Sequence, residues 1–307
     1  MSAPAGAPTS APRRWRPPGG WPHADASWRV RVPPHDWHVQ RLGEEGPLLL
    51  LIHGSGGATH SWRGAMPLLA RRHRVVAVDL PGQGFTRAGR PRFSLDQMAS
   101  DLWALLRAQG WAPWAAVGHS AGAAVALRMS LDVPDPPARV VGINAALGAF
   151  EGPAGVIFPA AARALVANPL TGFAVSRLAS ERLARRMLAN MGSEIDAEGL
   201  RCYARLFGSA GHVQATLRMM ASWDLAPLQR RLGEVAAPAL LIVGEQDRAV
   251  PPSVSEAAAR RLPRSRVARL PGGHLVHEER PLAVAALVER FVAGAGDDNG
   301  GPRAAAS

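Results

Sequence analysis

A serine near the middle of the chain lies in a pattern that nucleophilic enzymes use. Residues 118–122 are Gly-His-Ser-Ala-Gly, a G-x-S-x-G motif centred on Ser120. An apolar run precedes the motif and an Ala-rich helical pattern follows it, as a strand–turn–helix elbow requires. The flanking glycines relieve crowding in so sharp a turn and leave the hydroxyl above the sheet. The sequence therefore predicts Ser120 as a nucleophile rather than as a helix-capping serine.

A serine nucleophile needs a histidine as base and an acid that orients the histidine. His274 follows a Gly-Gly pair after a weak strand pattern, and Asp247 follows a stronger strand pattern at 240–243. The chain order Ser120, Asp247, His274 is the order that strand–helix folds with this elbow use. We therefore predict these three residues as the catalytic set.

Three other residues compete for the roles of base and acid. His277 lies three residues after His274, but it belongs to a polar stretch that predicts the start of the final helix. Glu245 could replace Asp247, although it lies closer to the end of its strand. The position after the strand that follows the nucleophile holds Asn144, which cannot carry the charge. Asp247 is therefore favoured as the acid.

The oxyanion of a tetrahedral intermediate needs two backbone N–H donors. Ala121 follows the nucleophile at a predicted helix start, and Ser55 lies in a glycine-rich loop after the first buried strand, which are the two places that supply such donors. We predict the N–H groups of Ser55 and Ala121 as the oxyanion hole. The loop lacks the lysine and the spacing of a phosphate-binding loop. His53 and His119 are expected to be structural.

Strand and helix patterns alternate on both sides of these residues. Apolar runs predict strands, and the segments between several of them have helical periodicity, which favours an α/β fold with a mostly parallel sheet and helices on both faces. The strands are predicted at 28–32, 37–41, 48–52, 74–78, 114–117, 140–144, 240–243 and 267–270, and the helices at 62–70, 95–109, 121–131, 253–262 and 281–292.

One region interrupts the alternation. From 146 to 231 the pattern is helical throughout, which predicts a helical cap inserted into the core. The core then comprises residues 28–145 and 232–293. Residues 1–27 and 294–307 are rich in small and polar residues and are predicted to be a disordered leader and a disordered tail.

Composition excludes several functional classes. The net charge is +11 and every basic residue is arginine, but the arginines are scattered, so nucleic-acid binding is not expected. A single cysteine, Cys202, excludes an internal disulfide and a cysteine-rich metal site. The longest uncharged stretch, 108–127, holds three glycines and a proline and predicts no membrane span. The leader has no continuous apolar run, so a cytoplasmic protein without a signal peptide is expected.

Together these motifs resemble the α/β-hydrolase superfamily over 28–145 and 232–293, and the resemblance implies the α/β-hydrolase fold. A narrower resemblance, which includes the cap, is to the magnesium-chelatase accessory proteins of bacteriochlorophyll biosynthesis. The cap match carries the most weight, because the cap varies most within the superfamily. The broader resemblance rests on 53–54, 79–84, 118–122, 244–247 and 273–274, and the narrower one on 54–62, 118–124, 203–207, 211–213, 223–225 and 274–281.

The narrower resemblance implies a role in the insertion of magnesium into protoporphyrin IX. A tetrapyrrole is then the candidate small-molecule substrate and magnesium chelatase the candidate partner, and any Mg²⁺ would belong to that partner. No cofactor and no metal site are expected in this chain. Two alternatives stay open, a hydrolase of an unrelated ester, lactone or C–C bond and a non-catalytic carrier or scaffold for a porphyrin or a chelatase subunit. Fold alone cannot choose among them.

Substrate contacts are the least constrained part of the sequence. Four side chains in the loops and the predicted cap are candidates for lining the cleft, namely Trp62, His60, Phe150 and Trp223. Ordinary packing in the core or the cap is the favoured alternative for the three aromatic residues, and a surface or hydrogen-bonded position is the favoured alternative for His60.

Overall fold

A computed structural model describes residues 11–89, 93–148 and 171–294. Its described part contains one nine-stranded sheet with the strand order β1-β2-β3-β5-β4-β6-β7-β8-β9. The strands are β1 Arg13–Arg14, β2 Ser27–Val32, β3 His35–Leu42, β4 Leu48–Ile52, β5 Arg74–Val78, β6 Ala115–His119, β7 Arg139–Ile143, β8 Ala239–Gly244 and β9 Ser265–Leu270.

The sheet is antiparallel at one edge and parallel elsewhere. β1, β2, β3 and β5 pair antiparallel in that order, whereas all pairs from β5 to β9 are parallel. The parallel part has its carboxyl ends on one edge, where an open α/β sheet places its ligand sites. The predicted α/β class with a mostly parallel sheet is confirmed.

Helices cover both faces of the sheet. The α-helices of the described residues are α1 Met66–Leu69, α2 Leu95–Ala108, α3 Ala121–Met129, α4 Thr171–Arg177, α5 Glu181–Asn190, α6 Ala197–Phe207, α7 Ala210–Ala221, α8 Ala226–Arg230, α9 Pro252–Ala259, α10 Val276–Glu279 and α11 Pro281–Val292.

Strand β4 shows why this sequence forms a buried parallel strand. Leu50 and Ile52 pack into the core that contains α2 and α3, whereas Leu49 and Leu51 pack into the core that contains α1 and α11. Successive side chains of a strand point to opposite faces, so a strand covered on both faces must be apolar at every position.

The structure corrects the predicted leader. β1 pairs with β2, and Trp21 is buried, with its Nε1–H donating to Thr59 Oγ1 at 3.2 Å. The Trp21 ring also packs against Phe85, with ring centroids 4.8 Å apart. Residues 11–27 are therefore part of the fold, because their tryptophans bury apolar surface that a disordered segment would leave in water.

Two helix predictions also differ from the structure. The helix expected at 62–70 is divided into a 3-10 turn at Thr59–Trp62 and the short helix α1. The region expected to be a cap contains helices α4 to α8, and no strand lies within its described residues 146–148 and 171–231. The rest of this region, 149–170, lies outside the described residues. In the described part of the chain no helix is long and apolar enough to span a bilayer.

Candidate functional site

Ser120 lies in the sharp turn between β6 and α3. Its φ of 50° and ψ of −116° place a non-glycine residue in a left-handed region that is costly and that occurs mostly at functional sites. The turn packs so closely on β4 that a Cβ at Gly122 would lie 2.3 Å from the Ile52 carbonyl oxygen. Close packing of this turn on β4 therefore fixes the backbone conformation that holds the Ser120 side chain at the carboxyl edge of the sheet.

His274 and Asp247 form a buried pair at the same edge. His274 Nδ1–H donates to Asp247 Oδ2 at 2.8 Å, and both side chains are almost fully buried. Asp247 Oδ1 accepts the backbone N–H groups of Ala249 and Val250, each at 2.8 Å. The carboxylate is thus held in place on both oxygens, and it fixes the tautomer of His274 with the Nε2 atom left for proton transfer.

The loop that carries His274 lies against the turn of Ser120. The ring centroids of His274 and His119 are 4.8 Å apart, and His119 Nε2–H donates to the His274 carbonyl at 2.8 Å. Burial, and then the neighbouring His277 and His274, hold the pKa of His119 well below its ordinary value. His119 is therefore a neutral structural residue that joins the turn of Ser120 to the loop of His274.

Asn144 has a role that reasoning from the sequence missed. Its Nδ2 donates to the carbonyls of Gly273 and His274 at 2.9 and 2.8 Å, and its Oδ1 accepts the Gly244 N–H at 2.7 Å. Asn144 itself has φ 45°, a conformation that asparagine tolerates better than most residues. An uncharged amide is what this position needs, since it must donate and accept at once.

The loop after β4 is held from two sides. The Gly56 N–H donates to Gln83 Oε1 at 2.8 Å, and the Gly56 carbonyl accepts His212 Nε2–H from helix α7 at 3.2 Å. His212 Nδ1 accepts the Gly84 N–H at 3.0 Å, so its imidazole is neutral, and burial lowers its pKa to about 4. These contacts fix the peptide next to Ser55, whose N–H is a candidate oxyanion donor.

A buried aspartate organises the neighbouring loop. Asp79 Oδ1 accepts the Thr59 N–H, and its Oδ2 accepts the Phe85 N–H and His38 Nδ1–H, all at 2.7 Å. Burial raises the pKa of Asp79, but His38 and these donors outweigh it and hold the pKa at about 2. The carboxylate therefore joins loops 53–62 and 79–86. His53 has a similar structural role, since its Nε2 accepts the Leu80 N–H at 2.9 Å.

The candidate substrate contacts fare differently. Trp62 is fully buried in the core on the side of α1 and α11, so it packs rather than lines a cleft. His60 is also fully buried, 4.5 Å from the Tyr203 ring between centroids. Trp223 is half-buried against the core that contains α2 and α3. Phe150 lies outside the described residues.

The polar stretch after His274 is buried, which the sequence did not suggest. His277 packs against the rings of Trp62 and His119, with centroids 4.9 and 4.3 Å away, and burial lowers its pKa to about 3. Glu278 pairs with Arg63 and accepts the Tyr203 hydroxyl at 2.8 Å. Burial raises the pKa of Glu278 to about 7, although both partners favour its ionised form. His277 is therefore a core residue and no rival to His274 at the edge.

Within the described residues, no group of three or more histidine, cysteine, aspartate and glutamate side chains could hold a metal ion. What the edge does assemble is a strained serine, a buried His–Asp pair and two loops with backbone N–H groups nearby. Such an arrangement can carry out acyl transfer through a serine ester.

Comparisons with known proteins agree with this geometry. A family model described as the alpha/beta hydrolase fold matches residues 47–281. The magnesium-chelatase 30 kDa subunit of Rhodobacter capsulatus is 49% identical over 264 residues, which cover 85% of this chain and 92% of that protein.

Solved structures show the same architecture. An α/β hydrolase fold protein from Burkholderia ambifaria is 26% identical with a TM-score of 0.71, and the match covers 85% of this chain and 96% of that one. A hydrolase from Pseudomonas aeruginosa is 22% identical with a TM-score of 0.72, covering 88% of this chain and 99% of that one, and this second likeness concerns the fold alone.

Proposed function

The chain belongs to the α/β-hydrolase family, and from this premise we propose that it is a serine-hydrolase-type accessory protein for the insertion of magnesium into protoporphyrin IX. Its small-molecule substrate would be a tetrapyrrole, and its partner would be magnesium chelatase. Mg²⁺ would be the cargo of that partner and not a cofactor of this chain.

The observation that carries this proposal is the 49% identity to the magnesium-chelatase 30 kDa subunit. The alignment extends over 264 residues, which is more than the predicted core, leader and tail contain together. It must therefore include part of the helical region. Since that region covers the catalytic edge in such folds, similarity there supports a shared ligand and not only a shared scaffold.

The proposed chemistry is acyl transfer at Ser120. The Ser120 hydroxyl attacks an acyl carbon while its proton passes to His274 Nε2, and Asp247 stabilises the imidazolium that forms. The N–H groups of Ser55 and Ala121 donate to the oxyanion. His274 then gives its proton to the leaving oxygen, and a water molecule releases the acyl group from Ser120 by the same steps.

The contacts of the site support this sequence of steps. The Asp247–His274 hydrogen bond of 2.8 Å leaves Nε2 as the nitrogen for proton transfer, and Asn144 holds the His274 backbone. His212 and Gln83 hold Gly56 from opposite sides, which restricts the loop of Ser55. A carrier without catalysis would not need a strained serine beside a buried base.

Complementation tests the proposal. A bacteriochlorophyll-producing strain that lacks its own relative of this protein would receive the wild-type chain or Ser120→Ala, with equal amounts confirmed by immunoblot. We expect the wild type to restore magnesium-protoporphyrin and Ser120→Ala to leave protoporphyrin IX accumulated. Full restoration by Ser120→Ala would favour the scaffold alternative. Failure of a folded wild type would favour a hydrolase of an unrelated small molecule.

A binding measurement tests the substrate class separately. Purified protein is titrated into protoporphyrin IX and into its magnesium form, and the absorption spectrum is recorded. We expect a saturable shift for at least one of the two, unchanged in Ser120→Ala because that substitution removes only the nucleophile. A spectrum without change for both pigments would contradict a tetrapyrrole ligand.

A further inference from the structure

A cavity lies at the antiparallel edge of the sheet, beside the end of loop 79–86. It has a volume of about 540 Å³ and is bounded by β1, the turn between β2 and β3, and the segment 87–89. None of the residues proposed for catalysis lines it. Its volume falls in the range of pockets that hold small ligands.

The lining of this cavity is strongly positive. Arg13, Arg29, Arg31 and Arg87 contribute four guanidinium groups, against one carboxylate from Asp36. Among the residues that the structure describes, no acid lies within salt-bridge distance of Arg13, Arg31 or Arg87. The four arginines come from three separate segments of the chain, so the sequence shows no basic run here.

One of the four arginines is structural. Arg29 is buried, and it donates to the Phe85 carbonyl at 2.5 Å and lies 3.6 Å from Asp36 Oδ2. Its guanidinium also lies over the Trp15 ring, 4.2 Å from the centroid. Burial lowers the pKa of Arg29, and Arg87 and Arg13 lower it further against the opposing effect of Asp36. The single carboxylate of the cavity is thus engaged with Arg29.

The backbones that carry the arginines are fixed by hydrogen bonds. Arg13 of β1 lies directly opposite Arg29 of β2, and Asp36 and Arg87 exchange two backbone hydrogen bonds of 3.1 and 2.9 Å. Like charges directly opposite each other on paired strands are destabilising. The fold therefore holds together positive charges that would separate if they were free, which a bound anion would compensate.

We propose that this cavity binds a small molecule that carries two or more anionic groups, phosphates or carboxylates. Arg13, Arg31 and Arg87 are the contacts, because a guanidinium offers paired N–H donors that match both kinds of anion. Three arginines from three segments fit several anionic groups better than one. Arg29 holds the wall of the cavity in place. The site is separate from the proposed hydrolase chemistry and does not depend on it.

Isothermal titration calorimetry of the full-length protein tests the proposal. The probes are pyrophosphate and citrate, each measured at 50 and 150 mM salt. We expect one equivalent of at least one probe to bind, more weakly at the higher salt. The variant Arg31→Gln/Arg87→Gln should weaken binding at least tenfold. The control variant Arg260→Gln/Arg261→Gln removes two exposed arginines at the end of α9 and should leave binding unchanged. Thermal melts check that both double variants fold. If Arg31→Gln/Arg87→Gln does not fold, the single variants Arg31→Gln and Arg87→Gln replace it.

The outcomes separate the sources of the anion. Tight binding of pyrophosphate alone indicates a phosphate ligand, of citrate alone a carboxylate ligand, and of both a site selective for charge. Each of these supports the proposal. Equal losses in the test and control variants would overturn it, since binding would then reflect net charge. Binding of neither probe would also overturn it, and binding of a polyglutamate peptide in their place would indicate a protein-docking surface.

Discussion

The catalytic edge and the helical region above it are connected to the rest of the molecule in different ways. At the edge, the side chains of Asn144, Asp247 and His274 bond to groups of the sheet core and its loops. The helical region bonds to the backbone of the same loop, because the Met191 carbonyl accepts the His274 N–H at 3.3 Å. The helical region contributes two polar side chains there. Ser193 Oγ accepts the Leu275 N–H at 2.8 Å, and His212 holds Gly56 in the loop after β4. We infer that the core fixes the side chains of the acid and the base, whereas the helical region supports the backbone of the base loop and of the oxyanion loop.

The comparison predicts the largest loss for the base itself. His274→Ala should lower the hydrolysis of an activated ester by about 10⁴-fold or more, because serine and histidine act as one unit. The measurement is kcat/KM on p-nitrophenyl esters with protein whose circular dichroism matches the wild type.

The matched control is three residues away. His277→Ala should lower the melting temperature, since it opens a cavity beside Trp62, but should keep most activity per folded molecule. Equal loss of activity in the two variants at full folding would contradict the assignment of His274.

The second-largest loss of activity is expected for substitution of the acid, Asp247. Asp247→Asn keeps the shape of the side chain but removes the charge that fixes and stabilises the imidazole, so kcat should fall by about 10²- to 10⁴-fold with little change in KM. Glu245→Gln serves as the control and should remain within about twofold of the wild type. A larger loss in Glu245→Gln than in Asp247→Asn would assign the acid to Glu245.

Protonation of His277 at low pH should lower the free energy of unfolding by several kcal/mol. His277 has a native pKa of about 3, against an ordinary value of 6.5, so the unfolded chain binds more protons between these values. The contribution of neutral His277 to the free energy of unfolding should therefore be complete above pH 6.5. It should decrease by about 1.4 kcal/mol for each pH unit below that value. Urea unfolding of the wild type and His277→Gln from pH 7 to pH 4.5 measures this contribution. Parallel curves for the two proteins would show that His277 does not titrate as described.

The amide at the edge should matter less than the charged groups. Asn144→Gly removes three hydrogen bonds but tolerates the positive φ, so we expect a loss of about 2 kcal/mol in stability and about tenfold in kcat. Asn144→Ala adds the strain of its φ and should be less stable than Asn144→Gly. If Asn144→Gly keeps full activity, the His274 loop does not need this support.

The smallest effect is expected from the helical region. His212→Ala frees Gly56 on one side, so kcat should fall by about threefold as the loop of Ser55 loosens, with the pH dependence unchanged. Arg218→Gln, an exposed substitution on the same helix, should have no effect. A loss in His212→Ala as large as that in His274→Ala would mean that the helical region supplies chemistry and not only position.

The sequence predicted the elements better than the burial of their polar residues. β4, β5 and α11 have the predicted bounds, because continuous apolar runs and a proline at a helix start are local signals. β1 has two residues and left no such signal. The burial of His277 and Glu278 depends on Trp62, Arg63 and Tyr203. No local pattern contains those contacts, so the stretch looked like an exposed helix start.

The candidate site shows the same limit. Chain order was enough to predict Asp247 and His274 as partners, and they lie within hydrogen-bond distance. The same reasoning rejected Asn144 for lack of charge and kept Trp62 among the candidate ligand contacts, because only the folded chain shows what each side chain contacts. His212 was one unassigned histidine in the sequence, and its two backbone contacts join segments that are more than 100 residues apart.

Covalent labelling of Ser120 tests most directly the claim that the core edge is a working serine-hydrolase site. Folded wild-type protein is incubated with a fluorophosphonate, and the adduct is mapped by mass spectrometry of intact protein and of its peptides, with Ser120→Ala treated in parallel. The account predicts one stoichiometric adduct on Ser120, slowed in His274→Ala and absent in Ser120→Ala. A folded wild type that stays unlabelled, or that is labelled equally in Ser120→Ala, would contradict it.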